Sequence, residues 1–159
     1  MLVENGTLDA GFAGRAGALG LDDESFDVVL YRLVLHHIAY QGALAPVFEE
    51  ARRLLRPGGA LVAVEPGAWH PVGAGLTAAN ALRLGPAVHG TPDDVPLSPR
   101  RLLREARAAG LRPELHAVTF TWRRMPPALQ RALWPLDRTL GSRPRAAAFG
   151  HTLMLIARA

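Results

Sequence analysis

The chain has 159 residues, a length that suits one domain with a hydrophobic core and is short for two. Hydrophobic residues make up 49% and charged residues 20%, which excludes a disordered chain, and the lack of cysteine excludes a disulfide scaffold and a thiolate metal site. The net charge is +4, and all 18 cationic side chains are arginines.

The arginines do not predict a nucleic-acid-binding surface. They lie mainly on the predicted solvent faces of helices, without the interleaved aromatic residues of a nucleic-acid site, so a solvated basic surface is the simpler interpretation. No apolar run reaches the roughly 20 residues of a membrane helix, and no signal-peptide pattern opens the sequence. We therefore expect a cytoplasmic protein that binds no membrane and no nucleic acid.

Residues 1–20 are rich in glycine, with the spacing G-x-x-G-x-x-G at Gly11, Gly14 and Gly17. A dinucleotide-binding loop has the spacing G-x-G-x-x-G and lies between a strand and a helix. No strand pattern precedes these glycines, and no helical pattern follows them. We therefore expect an irregular lead-in at this end of the chain.

Residues 22–65 have the pattern strand, helix, strand, which predicts a βαβ core. Residues 27–35 are almost continuously apolar, and such a run predicts a strand covered on both faces, as in a parallel sheet. Residues 60–65 predict a second buried strand.

The helix between them is predicted over residues 43–56. Its apolar side chains form one stripe, and its charged side chains, among them Glu50 and Arg53, point away from that stripe. Pro46 fits the first helical turn, where its missing N–H costs nothing. The sequence Arg-Pro-Gly-Gly that follows ends the helix, because proline cannot continue it and Gly58 can adopt positive φ.

The rest of the sequence predicts six further segments. In order these are a helix over residues 74–84, a loop over 85–97, a helix between Ser98 and Gly110, a strand over 114–122, a helix over 126–140 bent at Pro135, and a buried strand over 146–157. Residues 98–159 thus read as helix, strand, helix, strand.

Three segments, DESFDVV, LHHI and EEARRLLRPGGALVAVEP, occur in this order at suitable separations. As a set they resemble the second half of a class I S-adenosylmethionine-dependent methyltransferase, closest to the small-molecule group that includes the quinone-biosynthesis enzymes. The resemblance implies that residues 1–159 form a single truncated domain, a partial Rossmann-like α/β three-layer sandwich. Its sheet would be mostly parallel, with the last strand inserted antiparallel.

The resemblance also implies S-adenosylmethionine as cofactor and a small molecule as methyl acceptor. The positions that match the family's cofactor side lie before the first strand and at its carboxyl end: Leu19, Gly20, Tyr31, Arg32 and Leu33. For the strand-end positions, a purely structural place in the core is the alternative. The substrate side would be formed by Glu65, Trp69 and His70, where the alternative for Glu65 is a solvated carboxylate.

His36 and His37 match the position where the family shapes the floor of its active site. Either is a candidate general base if a substrate proton lies within hydrogen-bond reach. The simpler interpretation is a helix-start or loop histidine that packs against the sheet. The 6 histidines form neither HxxxH nor HExxH, so no metal site is predicted.

Three features that hold the cofactor in the family are absent or changed. The G-x-G-x-G loop and the acidic residue that binds the ribose are not found, and Arg15 stands where the family often has an aspartate that bonds the adenine amino group. Arginine carries only donors and cannot replace that acceptor. The strand at residues 27–35 would also have a bare edge, so we expect a homodimer or a second chain that supplies the missing amino-terminal strands.

Two functions are compatible with these residues. The first is a small-molecule methyltransferase, or a subunit of a split one, that works mostly by positioning its substrates. The second is a non-catalytic methyltransferase-like partner that has lost cofactor binding. The segment from FDVV to LHHI favours the first, and Arg15 favours the second.

Overall fold

The computed structural model describes residues 14–84, 95–122 and 124–159. Most of the glycine-rich lead-in (1–13) and most of the predicted loop (85–94) lie outside the described residues. The described residues form four strands and six helices. In chain order these are β1 (Phe26–Arg32), α1 (Leu35–Gln41), α2 (Ala45–Leu54), β2 (Leu55–Pro66), α3 (Pro71–Ala81), α4 (Pro99–Ala108), β3 (Arg112–Thr119), α5 (Pro127–Leu140), α6 (Pro144–Ala147) and β4 (Thr152–Arg158).

The strands form one sheet in the order β1-β2-β4-β3. β1 and β2 are parallel, whereas β4 is antiparallel to both of its neighbours, so β3 runs in the same direction as β1 and β2. The register places Leu61 between Val29 and Ala157, and Leu155 opposite Leu115. The predicted α/β fold, with a mostly parallel sheet and an antiparallel last strand, is confirmed.

Helices α2 and α4 pack on one face of the sheet and form the core with it. Phe48 of α2 and Leu102 of α4 are buried in one hydrophobic cluster with Leu61 and Leu155 of the strands. The apolar stripe predicted for α2 is therefore the side that is buried. Truncation of a buried aromatic side chain such as Phe48 to alanine costs about 3–5 kcal/mol of stability.

The opposite face of the sheet is open at β1. Phe26, Val28 and Leu30 lie on that face and are 40%, 57% and 59% exposed. β1 is also an edge strand of the sheet. The prediction of a strand covered on both faces is therefore wrong for β1, because a continuous apolar run does not reveal which neighbours the strand has.

β1 ends at Arg32, before the predicted end at residue 35, because Leu33 adopts a φ of 54°. A left-handed backbone at a leucine cannot continue a strand. The chain turns there and enters α1 at Leu35, an element that the apolar pattern had merged with the strand.

The predicted helix at 43–56 and last strand at 146–157 are both shorter in the structure. α2 ends at Leu54, and β2 begins directly at Leu55, not at the predicted residue 60. Gly58 adopts the predicted positive φ, 82°, but lies within β2. Residues 144–147 form α6, and β4 begins only at Thr152. A short apolar run alone does not distinguish a helix from a strand.

The remaining boundaries differ by a few residues. α3 begins at Pro71, not at residue 74, and β3 covers Arg112–Thr119, not 114–122. α4 follows Ser98 as predicted, although the Ser98 side chain makes no capping bond. Gly110 after α4 adopts a φ of 80°, as expected for a helix end.

Candidate functional site

The carboxyl ends of β1 and β2 lie side by side, at the edge of the sheet where ligands of open α/β folds bind. Arg32 pairs with Val64 in the register, and the Leu33 amide donates to the Val64 carbonyl oxygen at 2.9 Å. This brings the turn after β1 next to Glu65, near the end of β2.

The side chain of Glu65 accepts hydrogen bonds from the backbone of that turn. This side chain is 0% exposed. Oε1 accepts from the Val34 and Leu35 amides at 3.0 and 2.8 Å, and Oε2 accepts from the His36 amide at 3.4 Å. Oε2 also lies 2.6 Å from His36 Nδ1. The interpretation of Glu65 as a solvated carboxylate is therefore wrong. The sequence places Glu65 at a strand end, but it does not reveal that the amides of the neighbouring turn surround the carboxylate.

His36 and His37 lie in the first turn of α1. His36 is 3% exposed and packs in the protein interior, as the helix-start interpretation expects, while His37 is half-buried. Their ring centroids are 4.1 Å apart, with the planes tilted by 39°. The carboxylate of Glu65, the ring of His36 and the ring of His37 thus form a contiguous row at this edge.

The three predicted cofactor positions at the end of β1 differ in their surroundings. Arg32 and Leu33 are exposed at the carboxyl edge. Tyr31 lies on the covered face, with its hydroxyl 3.5 Å from the Val47 carbonyl oxygen of α2. Burial, with the nearby charge of Glu50, raises the pKa of Tyr31 to about 12. Tyr31 is therefore core, which was the alternative for this position.

Leu19, which precedes Gly20, is attached to α2 through Glu50. The Leu19 amide donates to Glu50 Oε1 at 2.8 Å, and Arg53 donates to both oxygens of Glu50, at 2.7 and 2.9 Å. Hydrogen bonds from Arg53 and from the Leu19 amide lower the pKa of Glu50 to about 2. The prediction that Glu50 points away from the packed side of its helix is wrong, because it is only 8% exposed.

Arg53 extends this attachment along the lead-in to β1. Its guanidinium donates to the Leu21 carbonyl oxygen at 2.6 Å and pairs with Asp23. The hydrogen bonds of Arg53 to Glu50 and to Asp23 raise the pKa of Arg53 further above its ordinary value. The Glu24 amide donates to the Arg53 carbonyl oxygen at 2.9 Å, so one arginine fixes the path of residues 21–24 over α2.

Arg15 borders a pocket of about 520 Å³ between the turn at residues 15–18 and the junction of α1 and α2. A Cβ added at Gly17 would lie 3.0 Å from the Cβ of Pro46, so the turn packs tightly on α2. The exposed Arg15 offers this pocket hydrogen-bond donors only.

His70 has a structural role that sequence reasoning missed. Its Nδ1 accepts from the Val72 amide at 3.2 Å and caps α3, and its Nε2 lies 3.1 Å from the Phe120 carbonyl oxygen. Because Nδ1 accepts a hydrogen bond and Nε2 faces a carbonyl oxygen, the ring must be neutral and carry its proton on Nε2. The ring meets His151 edge-on at 5.1 Å between centroids. Burial lowers the pKa of both histidines, and the charge of His70 lowers that of His151 further.

Trp69 lies beside two side chains from other parts of the chain. The Arg100 guanidinium stands 5.1 Å from the centroid of its ring, and the ring of Phe149 lies 5.8 Å away. Phe149 is 55% exposed. Trp69 therefore belongs to an aromatic and cationic cluster, separate from the Glu65 and His36 pair.

Asp137 is a second residue without a sequence signal. Its Oδ1 accepts from the Phe120 amide at 2.7 Å and its Oδ2 from the Thr119 hydroxyl at 2.9 Å, which attaches α5 to the end of β3. Of the missed residues, only Glu50 had a visible cue, the i,i+3 spacing to Arg53.

Across the described ranges 14–84, 95–122 and 124–159, no group of three or more His, Asp or Glu is arranged to hold a metal ion. None of the helices described there is both long and apolar enough to cross a membrane.

Comparison with known proteins identifies a domain family over part of the chain. Residues 5–63 match the family described as "Methyltransferase domain". No curated protein sequence matches the chain significantly.

Solved structures share the fold at low identity. A possible histamine N-methyltransferase from Thermotoga maritima is 18% identical, with a TM-score of 0.62, over 91% of this chain and 61% of that one. A putative methyltransferase of Haloferax volcanii, solved in complex with its activator Trm112, is 19% identical, with a TM-score of 0.56, over 92% and 59%. Phosphoethanolamine N-methyltransferase 2 of Haemonchus contortus is 16% identical, with a TM-score of 0.57, over 91% and 35%.

The chain therefore spans only part of the length of these proteins, 61% in the first case. All of them are S-adenosylmethionine-dependent or putative methyltransferases, and the shared fold is Rossmann-like.

Proposed function

We infer that this chain acts in S-adenosylmethionine-dependent methyl transfer to a small molecule, as a complete enzyme or as a subunit of a split one. Residues 5–63 match the family described as "Methyltransferase domain", and the fold is shared with solved S-adenosylmethionine-dependent methyltransferases. The reaction is transfer of a methyl group from a sulfonium to an oxygen, nitrogen or carbon nucleophile.

The observation that carries this proposal is the shaped turn at the carboxyl end of β1. Leu33 is left-handed and exposed there, while four hydrogen-bond donors of the next residues converge on the buried Glu65. A strained backbone that is held this firmly beside an open edge is typical of a ligand site. The sheet order β1-β2-β4-β3 puts this turn at the edge where such folds bind ligands.

The described residues fit one wall of the cofactor site but not the whole cofactor. The turn at Leu33 and the segment at Leu19 and Gly20 offer backbone and apolar surface. The vicinal hydroxyls of a ribose and the amino group of adenine need acceptors, and the two buried carboxylates near this edge, Glu50 and Glu65, already accept from protein donors. Arg15 offers only donors. We therefore propose that the second wall comes from another polypeptide segment.

The open edge of β1 supports that part of the proposal. Parallel strands need cover on both faces, yet Val28 and Leu30 are more than half exposed. A second copy of this chain or a different chain with the missing strands would pair with β1 and bury these side chains. The Haloferax volcanii methyltransferase is known in complex with an activator, which is a precedent for a partner and not evidence of its identity here.

The roles of the remaining candidates follow from their exposure. His37, half-buried in α1, is the better placed of the two histidines to meet an acceptor substrate, because His36 is buried against Glu65. Trp69 would contribute an apolar surface to the acceptor, and His70 would act through its cap on α3. Methyl transfer needs mainly alignment, so at most one general base is required.

Isothermal titration calorimetry with S-adenosylmethionine and S-adenosylhomocysteine tests the proposal. We expect no more than weak binding to the chain alone, and stronger binding, with methyl transfer to small amines, phenols or acids, once the strands that flank β1 are supplied. Tight binding by the chain alone would contradict the incomplete cofactor site. Absence of binding when a chain that supplies these strands is present would contradict the enzymatic function.

The alternative function is a non-catalytic methyltransferase-like partner. The donor-only Arg15 beside the pocket of about 520 Å³ favours it. An Arg15→Asp variant distinguishes the two functions. In an enzyme subunit, measured together with the strands that flank β1, it should tighten binding of the cofactor, whereas in a relic neither the wild type nor the variant should bind it.

A further inference from the structure

We propose that Glu65 is a positioning residue that keeps a proton on Nδ1 of His36, so that Nε2 is the ring nitrogen at which His36 gains or loses a proton. The pair joins the end of β2 to the first turn of α1.

The partners of the Glu65 carboxylate carry the argument. The amides of Val34, Leu35 and His36 can only donate, and all three point at the carboxylate at 3.0, 2.8 and 3.4 Å. Hydrogen bonds from three donors favour the ionised form of a carboxyl group. An ionised carboxylate accepts only, so the contact of 2.6 Å to His36 Nδ1 requires the proton on that nitrogen.

Burial makes the arrangement persistent. Glu65 is 0% and His36 3% exposed, so water does not compete for the carboxylate. A short charge-assisted bond in such surroundings is stronger than one at the surface. The ring of His36 is also fixed by the ring of His37 at 4.1 Å. Orientation and tautomer of His36 are therefore set by protein groups before any ligand binds.

For the proposed function the consequence is a defined proton site. If His36 takes part in methyl transfer, directly or through His37, the proton moves at Nε2 and not at Nδ1. This consequence rests on the proposed function, whereas the tautomer itself does not.

Long-range proton–nitrogen NMR on protein labelled with ¹⁵N-histidine tests the tautomer without substrate. We expect Nδ1 of His36 to be protonated across the pH range in which the protein is folded, with the signal assigned by its loss in His36→Asn. A wild-type spectrum with the proton on Nε2 and a bare Nδ1 would overturn the proposal. This outcome is independent of methyltransferase activity.

Glu65→Gln gives the second measurement. The glutamine oxygen can still accept from Val34 and Leu35, but its amide would donate to Nδ1, so we expect the His36 proton to move to Nε2. The matched control is Glu114→Gln, since Glu114 is an exposed carboxylate 3.8 Å from the Nε2 of His116 and should leave the His36 signal unchanged. An unchanged tautomer in a folded Glu65→Gln protein would also overturn the proposal. If that variant does not fold, the wild-type spectrum decides.

In an assembly that transfers methyl groups, the pH profile adds a functional readout. Loss of positioning at Glu65 should shift the pH dependence of kcat, because the proton would then be exchanged at a different ring nitrogen. A purely structural defect would instead lower the maximal kcat and leave its pH dependence unchanged. If no assembly is active, the proposed function fails and the tautomer result still stands.

Discussion

Leu33 is the residue at which the local sequence preference and the structure disagree most. Its φ of 54° is unfavourable for a leucine. Because its side chain is 49% exposed, packing of that side chain offsets little of the backbone strain. Backbone strain of this kind costs about 1–3 kcal/mol and persists only where the surroundings enforce it. The donors gathered on Glu65 supply that enforcement.

Leu33→Gly should therefore stabilise the protein by about 1 kcal/mol, because glycine adopts positive φ without strain. The matched control is Leu30→Gly, an exposed leucine within β1, where glycine should destabilise by about 1 kcal/mol. Urea denaturation of both variants measures the difference. Equal destabilisation by the two substitutions would contradict strain at Leu33. If the strained turn serves ligand binding, Leu33→Gly should also bind the cofactor less tightly in the complete assembly.

Glu50 gives a pH-dependent prediction at the same scale. Its pKa is about 2 in the folded protein and 4.5 ordinarily, so its contribution to stability is complete above pH 4.5 and is lost as the pH falls from 4.5 toward 2. Glu50→Gln should therefore be less stable than the wild type near neutral pH, and the difference should shrink through this window. Thermal denaturation against pH measures it.

The control for Glu50 is Glu49→Gln, the same substitution at an exposed position of the same helix. A Glu50→Gln protein as stable as the wild type at pH 7 would show that the bonds to Arg53 and Leu19 contribute nothing.

Among the elements, α3 depends on a histidine for its start. His70 must be neutral to accept from the Val72 amide, and burial lowers its pKa from 6.5. Because the pKa of His70 is lower in the folded protein, His70 binds a proton more readily in the unfolded protein. The stability that depends on neutral His70 is therefore present above pH 6.5 and declines as the pH falls below it.

His70→Asn should keep the cap without the titration, because asparagine is a good N-cap acceptor. We expect this variant to lose less stability than the wild type between neutral and mildly acidic pH. Part of the acid-induced loss of stability should remain in the variant, because burial also lowers the pKa of His151. His116→Asn, a substitution on β3, is the control. An unaltered acid profile in His70→Asn would mean that the cap does not titrate.

The elements also show what the sequence predicts well. The stripe of α2 and the glycine at its end are local features, and both are where the pattern puts them. Three other features are not encoded locally. They are the left-handed Leu33 that ends β1, the split of the last apolar run into α6 and β4, and the burial of Glu50 and Glu65. The donors that surround Glu65 come from about 30 positions away, and no local pattern encodes them.

At the scale of the whole molecule, the antiparallel insertion of the last strand was predictable only through the family resemblance. Periodicity identifies strands but does not order them, and it gave the wrong cover for β1. The candidate residues were found because they sit at strand ends, while their partners, such as His151 with His70 and Arg100 with Trp69, come together only in the folded chain.

The two outer strands of the sheet provide a matched test of the proposed partner surface. A lysine at an edge strand opposes strand pairing. Val28→Lys on β1 should weaken assembly, whether with a second copy or with another chain, by at least about tenfold, which corresponds to 1.4 kcal/mol. Val118→Lys on β3, which is 48% exposed at the opposite edge, should not. Light scattering and analytical ultracentrifugation measure both. Equal behaviour of the two variants would exclude β1 as the pairing edge.

The antiparallel β4 between β2 and β3 has a consequence for biosynthesis. β2 and β3 both bond to β4 and not to each other, so neither gains this neighbour until residues 152–158 have left the ribosome. The pairing of Glu65 with Leu153 spans most of the chain, and contacts of such high sequence separation are slow to form. During translation the apolar flank of β2 is therefore exposed to solvent until the downstream helices and β4 have been made. Stalling of translation before residue 152 should therefore leave the nascent chain prone to aggregate.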